Sequence, residues 1–267
     1  SGSGRGVDLN NDVIAASGTV SMSGQHNTGA TYAISLSGST SITAGTGVTL
    51  ESLNDNTGTI ALLSSGGIDG GSGTVLMRAA NYAFGGADRT ITTTGVLTIE
   101  PDADENSFAS SFDNQYLNPV SVTGLTLGKS SNASAITLSR AISLSGPVSI
   151  YGGSIDVNAN ITANSGNILL DADTGSTLNQ SSTGILLDDA ITIETVTSGN
   201  LTLIGRSGDT GSGFDGIDDS SANTTTLRSA GNLTLQGYSY AASGSGRGVD
   251  LNLSLIHISE PTRLHLI

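Results

Sequence analysis

The residues best suited to chemistry in this chain are carboxylates. The densest group is Asp209-Thr-Gly-Ser-Gly-Phe-Asp215-Gly-Ile-Asp218-Asp219, with four carboxylates and three glycines in one short stretch. Oxygen-rich loops of this kind can wrap a hard cation, and calcium is the only cofactor the sequence brings to mind. The spacing matches neither the EF-hand nor the glycine-rich calcium nonapeptide, so an unliganded acidic loop is the expectation. Glycoside hydrolysis would need two carboxylates across a cleft. The possible partners are Asp171 with Asp173, Asp188 with Asp189, and Asp102 with Asp104 and Glu105. Asp171 and Asp173 share one face of a strand, but no second cluster with recognisable spacing accompanies them. A lyase would add a basic residue near a metal, yet Arg78, Arg89, Arg140, Arg206 and Arg228 are scattered singly. His26, in the turn-like GQHNTG, reads as a surface histidine, and there is no cysteine to act as nucleophile. The expectation is therefore no enzyme, with no catalytic, cofactor-binding or metal residue assigned and the carboxylates solvated at corners.

Charge narrows the partners. The net charge is −14, with nine Lys and Arg against 23 Asp and Glu. Nucleic acid and anionic membrane both call for basic patches, and both are excluded as expected partners. No run of about 18 apolar residues is present, so no membrane insertion is expected in this segment. The absence of cysteine removes a disulfide framework and zinc–thiolate sites. Gly, Ser and Thr are abundant, but a hydrophobic content of 36% is too high for a solvated linker.

The elements that must position these groups come from one repeated phrase. A small residue and a glycine precede a short apolar–x–apolar triplet. It occurs as SGTVSM (Ser17–Met22), TGVTL (Thr46–Leu50), TGTIAL (Thr57–Leu62), SGTVLM (Ser72–Met77), TGVLTI (Thr94–Ile99) and TGLTL (Thr123–Leu127). It continues as GPVSI (Gly146–Ile150), SGNILL (Ser165–Leu170), TGILL (Thr183–Leu187), SGNLTL (Ser198–Leu203) and AGNLTL (Ala230–Leu235). The period of two is that of a strand, and the glycine admits a tight corner before it. Glycine always stands on the same side of the triplet, as if every strand enters its layer in one direction. An all-β, right-handed parallel β-helix is expected, with a coil every 20–33 residues or so and Thr, Ser and Asn stacked in ladders. An antiparallel β-sandwich is the alternative. Asp102–Pro119 has no triplet and is expected to leave the solenoid as a loop or short helix. Phe108, Phe112 and Tyr116 would lie on one helical face there.

The chain also carries a long-range duplication. Ser1–Asn10 and Ser243–Asn252 both read SGSGRGVDLN, an offset of 243 − 1 = 242 residues. A slice of a longer, self-similar protein is expected, with residues 1–252 as the solenoid segment. Residues 253–267 break with this composition: Leu253–Arg263 (LSLIHISEPTR) resembles a translated sequencing-library adapter and is set aside from fold reasoning as a non-native tail.

The phrases GPVSIYGGSIDVNANI (Gly146–Ile161) and AGNLTLQGYS (Ala230–Ser239) are similar to the repeats of giant bacterial surface exoproteins of the filamentous-haemagglutinin-like class. The resemblance extends over most of residues 1–252. It implies a β-helical stalk of an adhesin, secreted to the bacterial cell surface, with a role in adhesion or biofilm contact. Its partners would be glycans or proteins of a host or neighbouring cell, and neighbouring repeats of the same chain. A β-helical carbohydrate-binding or polysaccharide-degrading module is the alternative.

Overall fold

A computed structural model describes residues 4–10, 13–26, 31–53, 57–63, 66–86, 88–119, 121–172, 182–188, 190–210, 212–219, 225–251 and 253–257. For residues 13–16 and 253–257 it describes the backbone alone. Twenty-nine strands and no helix occur among these residues. Every strand pairing is parallel, which removes the sandwich alternative and establishes a parallel β-helix. The strands fall into sheets of four, five, nine, six and five. Neighbouring strands within every sheet are three places apart along the chain, so a coil has three faces.

One face runs without interruption from Val20–Gly24 to Leu233–Tyr238 as the nine-stranded sheet. Its inward columns follow from the period of two. Val20, Val48, Val75, Leu97, Leu125, Val148, Ile168, Leu201 and Leu233 stand in register, one per coil. Those from Val48 to Leu201 are at most 1% exposed. Coil length does not disturb this register. Val148 pairs with Ile168, 20 residues on, and Ile168 pairs with Leu201, 33 residues on. The extra residues are absorbed at the corners, because stacking fixes only the strands. At the usual strand spacing of about 4.8 Å, nine strands make a rod roughly 40 Å long.

Corners carry the ladders. The backbone N–H of Asn200 donates to Asn167 Oδ1 at 2.8 Å, and that of Asn232 donates to Asn200 Oδ1 at 2.8 Å. Each asparagine thus satisfies a backbone group that the corner frees from the sheet ladder. Gly166 and Gly199, directly before two of these asparagines, have φ of +149° and +112°. A Cβ on Gly199 would lie 1.9 Å from the Gly166 carbonyl oxygen, so the corner requires glycine twice over.

The other two faces are each broken once. The first face ends at Asn81–Phe84 and resumes as a separate sheet at Phe112–Asp113. The second ends at Leu117–Pro119 and resumes at Ile142–Leu144. The first break takes in the start of Asp102–Pro119, the stretch expected to leave the solenoid, and the second follows Pro119. No helix forms there. Residues 101–111 leave as a loop, and the remainder returns as two short strands. The i, i+4 aromatic spacing does not mark a helical face, because Phe108 and Phe112 are buried by the sheets that the loop separates. Pro119, with no N–H to donate, ends its strand. Ser121, two residues on, takes a φ of 61°.

The duplicated phrase keeps step with the coil. Its copies form Val7–Leu9 and Val249–Asp250, the first strand of a coil in each case and nine coils apart. Each copy closes an ion pair three residues wide, Arg5 with Asp8 and Arg247 with Asp250. After the second copy, Leu253–His257 pairs parallel with Thr225–Ser229. An open sheet edge accepts any strand of suitable alternation, and LSLIH supplies it.

Candidate functional site

The break in the first face opens a cleft of about 210 Å³. Tyr82 and Phe84 come from the last strand before the break, Phe108 from the loop, Phe112 from the first strand after it, and Tyr116 from the following turn. Five of the ten aromatic residues, six Tyr and four Phe in all, therefore converge on one place. The Tyr82 ring meets Phe108 and Phe112 edge-on, with centroids 5.8 and 5.7 Å apart. Phe84 meets Phe112 edge-on at 6.2 Å, and Phe108 stacks on Phe112 at 5.6 Å. The T-shaped and stacked contacts fix the rings against one another. The Tyr82 hydroxyl lies 2.8 Å from the Met77 carbonyl and 2.9 Å from that of Glu100, which anchors the cluster to the unbroken face. Burial, and secondarily the Glu100 carboxylate, pushes the Tyr82 phenol well above its ordinary pKa, so it stays a neutral donor.

The rim of this cleft is polar. Ser110 Oγ donates to Asn81 Oδ1 at 2.9 Å. Asp113 accepts from the Gln115 backbone N–H at 2.9 Å. Among the described residues, Asp113 is the only charged one lining the cleft. The sequence reading singled out Phe108, Phe112 and Tyr116 but not Tyr82 or Phe84. These lie a full coil earlier, and only the stacking brings them in.

The acidic loop is divided by the pleat. Asp219 turns into the core, 6% exposed, and its Oδ1 accepts from Thr225 Oγ1 at 3.1 Å. Asp215 and Asp218 stay together, joined by Asp250 from the next coil, with one oxygen of each within 4.8 Å of the others. Asp209 is not part of this trio. Arg247 already serves it, pairing with Asp250 and donating its backbone N–H to Asp215. Desolvation first, then repulsion from Asp215, Asp250 and Asp219, raises the Asp218 pKa, against the pull of Arg247. Asp250 was not among the residues weighed for calcium, because it reaches this point by coil stacking.

Of the remaining carboxylates, Asp188 lies near Asp156 of the preceding coil, while Asp171 and Asp102 stand apart. Asp171, 9% exposed, pairs with Arg206 at 3.1 Å, and its pKa is raised by burial with Arg206 opposing. Asp173 and Asp189 lie outside the described residues. Asp102 is buried at the start of the loop, where its Oδ1 accepts from the Ala103 N–H at 2.6 Å and its carbonyl from Lys129 Nζ at 3.1 Å. Asp104 is exposed and Glu105 half-buried. His26 Nε2 lies 3.4 Å from the Thr57 carbonyl.

The arginines are structural. Arg78 bridges Glu51 and Glu100 on its two flanking coils. Arg228 pairs with Glu194 at 3.3 Å, and Arg140 Nη2 donates to Asp88 at 2.8 Å. Arg89 is the exception: it points into the solenoid at 3% exposure, with Nε and Nη1 making no hydrogen bond.

Comparison with protein-family models, with curated proteins and with solved structures finds no match.

Proposed function

We propose that the chain is a structural, non-enzymatic stalk segment of a secreted or cell-surface bacterial adhesin of the filamentous-haemagglutinin-like class, acting in adhesion or biofilm contact. The observation that carries this reading is the nine-stranded face, which holds one register through coils of 20 to 33 residues. A scaffold of this kind converts chain length into reach, and each coil contacts only its neighbours. Supporting it, the outward arginines are spent in ion pairs between strands or within corners, which leaves the acidic surface unsuited to nucleic acid. The partners are glycans or proteins on a host or neighbouring cell, together with adjoining repeats.

Beads coated with the full chain should adhere to bacterial or epithelial cells more than beads coated with an unrelated acidic β-helix. Adhesion no better than that control, or release of soluble product from bacterial or plant polysaccharide, would contradict the reading. The second reading, a carbohydrate-binding module, is favoured by the aromatic cleft.

A further inference from the structure

We propose that the cleft at the sheet break binds a single neutral sugar ring. The site is distinct from the stalk reading, and either can fail without the other.

Three observations point to this ligand. The first is size. At about 210 Å³ the cleft is smaller than the 300 Å³ or so at which pockets for drug-sized ligands begin, so it has room for one ring and not for a chain. The second is the match of surfaces. A pyranose has an apolar face of C–H groups and a rim of hydroxyls. Here the floor is the partly exposed rings of Tyr82, Phe84 and Tyr116, backed by Phe108 and Phe112, each 4% exposed. Aromatic floors of this sort take C–H faces through the negative face of the ring. Around the floor stand Asn81, Ser110, Asp113 and Gln115, which together offer amide N–H donors, hydroxyl and carboxylate oxygen. Such a mixture of donors and acceptors suits hydroxyls, which act as both.

The third is charge. Among the described residues, Asp113 is the only ionised group in the lining. Arg140, which touches the Gln115 carbonyl at 3.5 Å, is already held by Asp88. An anionic sugar would bring its carboxylate to Asp113 with no cation to receive it, so uronic and sialic acids are disfavoured. One carboxylate also falls short of the pair that hydrolysis requires, so the sugar is bound and not cut.

The rigidity of the site follows from its construction. Its rings come from strands and a loop clamped on both sides: Ala109 N–H donates to the Ala80 carbonyl at 2.8 Å and Phe112 N–H to the Ala135 carbonyl at 2.9 Å. The break in the face leaves Tyr82, Phe84 and Tyr116 partly exposed at the opening.

The test is titration of the full chain with methyl glycosides of glucose, galactose, mannose, N-acetylglucosamine and glucuronic acid, followed by saturation-transfer NMR and calorimetry. At least one neutral glycoside should bind with a Kd of about a few millimolar, as the efficiency of ordinary ligands gives for one ring. The glucuronide should bind at least about tenfold more weakly. Asn81→Ala and Gln115→Ala, both at the rim, should each weaken binding several-fold with an unchanged circular dichroism spectrum, and Tyr116→Ala should weaken it further. No binding of any neutral glycoside at about 50 mM would overturn the proposal. So would binding that survives all three substitutions, or binding of N-acetylphenylalaninamide in place of every sugar.

Discussion

Arg89 shows most clearly how position governs the meaning of a residue. Its strand, Arg89–Thr92, alternates inward and outward, and Arg89 occupies an inward place in register with Leu117 of the next coil. With its Nε and Nη1 making no hydrogen bond, the guanidinium costs the desolvation of these donors, about 1–3 kcal/mol. Arg89→Met, which keeps the stem and removes the charge, should raise the melting temperature; a thermal melt showing a fall would mean that the guanidinium has a stabilising partner. Asp218 acts in the opposite setting, half-exposed among other carboxylates. Its folded pKa lies above the ordinary value because of burial and repulsion. The folded state therefore binds this proton more tightly than the unfolded state. The resulting stability is present at low pH and is lost as pH rises through the folded pKa. Asp156, raised by burial and by Asp188, and Asp171 shift the same way. Asp218→Asn should raise the melting temperature at pH 7, with the gain shrinking as pH falls through the carboxylate range. A gain that grows on acidification would show the sign to be wrong.

At the scale of the strand and corner, the glycine-led triplet was legible because it marks one particular face. Nine of its eleven occurrences are the strands of the uninterrupted sheet, while TGTIAL and TGILL fall on the first face at Thr59–Leu62 and Ile185–Leu187. Apart from Thr192–Ser198, the other faces use strands of two to five residues, such as Ile155–Val157 and Ile142–Leu144. A three-residue alternation carries little signal alone, and those faces went unread. The aromatic cleft was half legible for a related reason. Phe108, Phe112 and Tyr116 are close in sequence and suggested a helical face, but Tyr82 and Phe84 join them only through the stacking of coils. The acidic trio repeats the lesson, since Asp250 lies one coil beyond Asp218. Corner glycines give the sharpest prediction at this scale. Gly199→Ala should destabilise the rod by about 1–3 kcal/mol, from a disfavoured φ together with a Cβ set 1.9 Å from the Gly166 carbonyl. Chemical denaturation checks this, and a neutral result would mean that the corner can rearrange.

At the scale of the molecule, the core of the described residues is one continuous apolar column, less deeply buried in its first and last coils. Val7, Leu9 and Met22 at one end, and Leu233, Leu235 and Leu251 at the other, are only partly buried. Tyr238 and Tyr240, 43% and 41% exposed, stack on each other at the second end. The edges of the first and last described strands invite pairing, so the full chain should associate end to end or fray at both ends. Hydrogen exchange should show protection greatest in the middle coils, with sedimentation reporting higher-order species as concentration rises. A clean monomer protected uniformly to both ends would contradict this.

The claim on which the rest depends is that distance along this protein is counted in coils and not in residues. Spin labels placed by cysteine substitution on the outward column of the unbroken face test it directly, in a chain with no native cysteine. Ser21, Thr49, Leu76, Thr98, Thr126, Ser149, Leu169 and Thr202 occupy that column in order. Pulsed electron resonance should give separations near 19 Å for Ser21 with Thr126 and near 34 Å for Ser21 with Thr202, four and seven steps of about 4.8 Å. Separations that follow the number of intervening residues, or that fail to grow along the series, would contradict the parallel stack.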